Sequence, residues 1–177
     1  MQWERAIEEL EAELDADERR ELVAEVADRT RLEVGRLHVV DRLRAAIGRE
    51  VVLGLVGCGP VRGSVRRVGP DWLLLHDAAG SAVLVVLAAT LWVEGLPRRA
   101  VDPAAVSAVD QRLGVRVVLR TAARDRALVQ VRLRDGSDVR GTVNRVGADF
   151  VEIGAEPRAA GAERCIPLTA ITLVRLR

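Results

Sequence analysis

The chain repeats itself, and the repeat limits what it can fold into more than any single motif does. Arg62-Gly63-Ser64-Val65-Arg66-Arg67-Val68-Gly69-Pro70-Asp71-Trp72 returns as Arg140-Gly141-Thr142-Val143-Asn144-Arg145-Val146-Gly147-Ala148-Asp149-Phe150. The match runs without a gap from Arg42–Trp72 to Arg120–Phe150, with about twelve identities over about 31 positions at a shift of roughly 78 residues. Two copies of one structural unit are therefore expected, each built by the same local rules.

The first 47 residues have helical spacing. Trp3, Ile7, Leu10 and Leu14 form one apolar stripe, and Asp15-Ala16-Asp17-Glu18 offers a capping pattern that restarts the helix. A second stripe runs through Leu22, Val26, Thr30, Val34, Leu37, Val40, Leu43 and Ile47. A helix from residue 18 to residue 47 would be roughly 45 Å long, so it must cross both copies or pair with another chain. From Glu50 the period becomes that of strands. Val51–Val56, Val61–Val68, Trp72–Leu75, Ala82–Val86 and Ala89–Val93 predict five short strands separated by Gly, Pro and Asp turns. The second copy gives Val129–Leu133, Val139–Val146, Phe150–Ile153, Arg164–Pro167 and Ala170–Val174, with Asp135-Gly136 as a hairpin turn of the favoured two-residue kind. The last three strands of the first copy are nearly all apolar, which predicts cover on both faces. Between the copies, Asp102-Pro103 marks a helix start, and Val106, Val109, Leu113 and Val117 carry the helix to about Arg124; Val115–Leu119 also fits a strand, and helix is preferred because the aligned Arg42–Ala46 falls inside a strongly periodic helix. The resulting division is 1–47 helical segment, 48–96 first strand unit, 97–126 linker with helix, and 127–177 second strand unit.

Composition narrows the function classes. A chain of 177 residues with 49% apolar and 30% charged residues is globular in profile. Its longest apolar run, Ser81–Val93, is too short to span a bilayer, and the acidic start does not resemble a signal peptide, so a cytoplasmic location without membrane contact is expected. Cys58 and Cys165 stand far apart with no metal-ligand spacing, so no disulfide, metal or cofactor is expected. All the basic residues are arginine, spread along the chain rather than clustered.

A helix followed by five short, strongly bent strands resembles the Sm-like (LSm) small β-barrel family. The residues carrying the resemblance are Val129–Gly136, with its apolar-x-apolar-x-Asp-Gly hairpin, then Val139–Val143, Val146–Ile153, and Ile166–Ile171. The resemblance implies an α+β, mainly β fold: two tandem Sm-like five-stranded barrels, each preceded by a helix, after a long amphipathic N-terminal helix. It also implies assembly through edge strands. RNA binding is not carried over. Gly147 and Val151, and Gly69 and Leu73 in the first copy, stand where RNA-binding members have Asp and a polar residue, and Pro167 and Val86 stand near the place of the family's Arg-Gly pair.

No nucleophile motif is present, and His38 and His76 are the only histidines, so an enzyme is not expected. Gly57-Cys58-Gly59-Pro60 precedes a strand and reads as a turn rather than a phosphate loop. Asp71 and Asp149 are expected to bond their own turns. Arg132, Arg134, Arg140 and Arg145 form the candidate basic patch for phosphate or nucleic acid, diluted by Asp135 and Asp138. Leu22, Val26, Leu37 and Val40 are the candidate helix interface. The expected function is a non-enzymatic interaction protein that forms a homo-oligomer or docks a protein partner; the alternative is a nucleic-acid-binding regulator.

Overall fold

Alternating apolar residues in Val51–Leu55 and Val129–Leu133 bury one side of each strand, and the ladder that follows is antiparallel throughout. The computed structural model describes residues 19, 20, 22, 25, 34–155 and 162–176. Residues from Val39 onward form one unit, and the described residues before it belong to another. The strands are β1 (Glu50–Leu55), β2 (Cys58–Val68), β3 (Trp72–His76), β4 (Ala82–Val86), β5 (Thr90–Glu94), β6 (Leu128–Leu133), β7 (Asp138–Val146), β8 (Phe150–Gly154), β9 (Arg164–Pro167) and β10 (Ile171–Leu176). The helices are α1 (Val39–Ala45), α2 (Ala108–Arg112) and α3 (Val115–Arg124), with 3-10 turns at Leu87–Ala89, Pro103–Ala105 and Leu168–Ala170.

The structure corrects several expectations. The strands do not make two five-stranded barrels; they form one open ten-stranded sheet in the order β5-β1-β2-β3-β4-β10-β6-β7-β8-β9. The cause lies in the outer strands of the two halves. β4 and most of β10 are buried on both faces, and they satisfy their remaining backbone groups by pairing with each other, Val85 opposite Leu173, Leu84 opposite Val174 and Val83 opposite Arg175. Nor does one long helix run from residue 18 to residue 47. Arg19, Arg20, Leu22, Glu25 and Val34 are helical, but the chain turns at Gly35 and Arg36, and α1 starts afresh at Val39. Gly35 has no side chain to hold a helix there, and Leu37 and Val39 beside it stay exposed, so no packing offsets its conformational freedom. The stripe of Trp3, Ile7, Leu10 and Leu14, with Val26 and Thr30, lies outside the described residues.

The linker helix is also divided. Asp102 accepts the Ala104 N–H at 2.9 Å and opens a 3-10 turn, α2 follows, and Gly114 breaks the path before α3. The hairpin at Asp135 is a three-residue loop rather than a two-residue one. Gly136 has φ +86° and Asp135 is not left-handed, and Leu133 N–H donates to Ser137 O at 2.9 Å across the loop.

The two strand sets share their order and their tight spots. A Cβ on Gly63 would come within 2.6 Å of His76 O, and one on Gly141 within 1.8 Å of Gly154 O, so the long second strand of each set can approach its neighbour only with glycine there. Gly69 and Gly147 leave room for the rings of Trp72 and Phe150, which fold over them. The cores interlock. Trp72, Leu84 and Val86 from the first half pack with Val115, Leu119, Val129, Val143 and Val151, while Leu173 from the second half packs with Leu53, Val65 and Leu75.

Candidate functional site

Several long-range hydrogen bonds cross the junction of the halves. Asp71 does not bond its own turn as expected; its Oδ1 accepts the Val115 N–H at 2.8 Å, across 44 residues, and so caps the start of α3. Gly114, the residue before that helix, has no side chain to do this itself. The neighbouring Trp72 indole donates to Leu113 O at 2.5 Å. Thr172, fully buried, donates to Val56 O at 2.9 Å from one half to the other. The hairpin tips also touch: a Cβ on Gly57 would fall 2.2 Å from Arg134 O. Arg134 in turn donates to Ala88 O at 2.5 Å. Under α3, a cleft of about 460 Å³ opens over β3, β4 and β10, walled by Trp72, Leu74, Leu84, Val118 and Val174, with Arg67 and Asp125 among its lining.

Two of the four arginines of the predicted basic patch are paired with carboxylates of neighbouring strands. Arg132 holds Asp138 in a fork at 2.6 Å and 3.0 Å and also reaches Gly136 O. Arg145 forks onto Glu152 at 2.6 Å and 3.1 Å, and this hydrogen bonding, with the carboxylate's charge, raises the guanidinium pKa above its ordinary value. Arg134 is committed to the Ala88 carbonyl, and Arg140 is exposed on β7 opposite Gln130. Asp135 titrates below its ordinary value because the Ser137 hydroxyl and then the Ser137 N–H donate to it. The cover on both faces predicted for the last three strands of the first half holds best for β4; β3 is mostly buried and β5 is largely exposed.

Of the proposed helix interface, Leu22 and Leu37 are exposed, Val40 is half-buried in α1 against the first-half core, and Val26 lies outside the described residues. His76 ends β3 half-buried, and His38 is exposed before α1. Cys58 is half-buried and Cys165 is exposed on β9, and both are free thiols. No metal-holding cluster occurs among the described residues, and none of their helices is long and apolar enough to cross a membrane.

What the sequence reading missed is the pair of sheet ends. Among the described residues, β5 has one paired side, toward β1, and β9 has one, toward β8. β5 leaves Leu91 66% and Trp92 43% exposed beside its open edge. A signal was present in the repeat: Trp92 stands where Leu173 stands in the second half, and Leu173 is buried. No family model matches the chain, and no curated protein or solved structure matches it.

Proposed function

We propose that this chain is a non-catalytic assembly protein that works by taking a further strand onto the ends of its sheet. One observation carries the reading: among the described residues the ten-stranded antiparallel sheet ends on two strands that are each paired on one side only, and one of them, β5, presents Leu91 and Trp92 to solvent. Unpaired N–H and C=O rows beside exposed apolar side chains are a template for strand addition. Natural edges are usually blunted by charge, Pro or a covering loop, and the outward residues of β5 are instead apolar for two positions running. The phosphate-binding alternative has less support, since Arg132 and Arg145 already spend their forks on Asp138 and Glu152. The test is the mass of the whole chain by light scattering from about 1 µM to about 100 µM, beside a Leu91→Lys, Trp92→Lys variant, because edge lysines oppose strand addition. The expected result is a mass that rises with concentration and stays monomeric in the variant. A constant monomer mass for the unaltered chain overturns the reading.

A further inference from the structure

The molecule already contains one worked example of how its sheet is extended. β4 closes the first half and β10 flanks the second, and they pair antiparallel in a defined register. The open end strands occupy the same two places in the repeat. β5 lies against β1 as β10 lies against β6: Val52 opposes Glu94 as Gln130 opposes Arg175, and Leu53 opposes Val93 as Val131 opposes Val174. β9 lies against β8 as β4 lies against β3: Leu73 opposes Val85 as Val151 opposes Ile166, and Leu75 opposes Val83 as Ile153 opposes Arg164. The free edge of β5 is thus the counterpart of the edge that β10 offers inside the chain, and the free edge of β9 is the counterpart of the one that β4 offers.

Resting on the assembly reading above, we infer that the added strand is supplied by a second copy of this chain, β9 of one molecule pairing antiparallel with β5 of the next in the β4–β10 register. Carrying over the internal pairs places Trp92 opposite Ile166, Val93 opposite Cys165, and Glu94 opposite Arg164 of the neighbouring molecule. Three further features fit this register. The pair at the end of the ladder is oppositely charged, and both its members, Glu94 and Arg164, are exposed in the single chain. Pro167, which has no N–H to give, corresponds to Val86, and Val86 lies outside the three β4–β10 pairs, so the proline removes no ladder bond. Trp92 takes the place of Leu173, whose side chain is buried within the opposite half's core, so an exposed aromatic gains cover. Asp149 and Phe150 then stand at the new junction where Asp71 and Trp72 stand at the old one, which gives the repetition of the Gly-x-Asp-aromatic turn a use in both copies.

Such a contact joins two different surfaces, so it is heterologous: every molecule added leaves one β5 and one β9 free until a ring closes. Two measurements test it. In sedimentation of the whole chain, Glu94→Arg alone or Arg164→Glu alone should weaken association about tenfold by setting like charges opposite each other. An equimolar mixture of the two variants should associate again, since each variant's β5 then meets an opposite charge on the other's β9. Independently, Val93→Cys in a Cys58→Ser background, treated with oxidised glutathione, should form a disulfide to Cys165 of the neighbour, because directly opposed residues lie within disulfide reach. On a denaturing gel the products should extend past the dimer. A monomeric unaltered chain overturns this junction together with the assembly reading. An associating chain that ignores both charge reversals and gives no cross-link, or a cross-link confined to dimers, overturns this junction and leaves assembly through another surface standing.

Discussion

Gly48 and Arg126 fill the same place in the repeat, directly after a helix, and both are left-handed, with φ +82° and +49°. The helix end requires it: Arg126 N–H bonds Ala123 O at 3.1 Å and Ala127 N–H bonds Ala122 O at 2.9 Å, which turns the chain out of α3 into β6. The first half meets this need with glycine, and the second meets it with a side chain whose Cβ crowds the following carbonyl. That conformation costs a non-glycine residue ~1–2 kcal/mol, and the greater freedom of unfolded glycine offsets ~0.5–1 kcal/mol of any relief. Arg126→Gly should therefore stabilise the fold by about 0.5 kcal/mol, measured by urea unfolding. Gly48→Ala should destabilise it by about 1 kcal/mol through φ alone, since no atom lies within 4 Å of the added Cβ. A destabilising Arg126→Gly would show that the arginine makes contacts outweighing its backbone cost.

At the scale of elements, α3 owes its start to a residue from the other half. Asp71→Ala removes the acceptor for Val115 N–H and should cost ~1 kcal/mol. Asp149→Ala, at the equivalent turn, where the carboxylate caps no helix among the described residues, should change the stability of dilute protein by less than ~0.5 kcal/mol. Equal losses in thermal unfolding would refute the tertiary cap. That cap was not legible in the sequence, because an Asp in a Gly-x-Asp turn satisfies local hydrogen bonding just as well on paper, and only the fold brings Gly114 within reach. The strands themselves were legible, since Val129, Val131 and Leu133 alternate with polar residues; the helical spacing of Leu113 and Val117 leads into α3, but the residues that α3 buries are Val115 and Leu119. The joining of β4 to β10 was not. Local periodicity shows that a strand is apolar on both faces without showing which distant strand will cover its edge. For the same reason the open edges of β5 and β9 are not legible in local periodicity, nor is the pairing of Arg132 with Asp138 and of Arg145 with Glu152. The long helix failed at Gly35, where spacing continued but nothing packed against it.

At the scale of the whole molecule, the repeat produced two similar strand sets that do not own their cores. Trp72, Leu84 and Val86 serve the second half, and Leu173 serves the first. The buried hydrogen bond from Thr172 to Val56 O and the touching tips at Gly57 and Arg134 bind the halves at further points. A half separated from the other would expose these side chains and the β4 or β10 ladder groups together, so the 39–177 unit should unfold as one. Leu173→Ala is the sharpest probe, because it sits on a second-half strand but empties space in the first-half core. It should cost ~2–5 kcal/mol, the range for a buried leucine truncated to alanine. Calorimetry should show one transition, displaced as a whole to lower temperature. A variant in which the signal splits, with one half melting early and the other unmoved, would mean that the two strand sets are independent and that β4–β10 is a contact between finished domains.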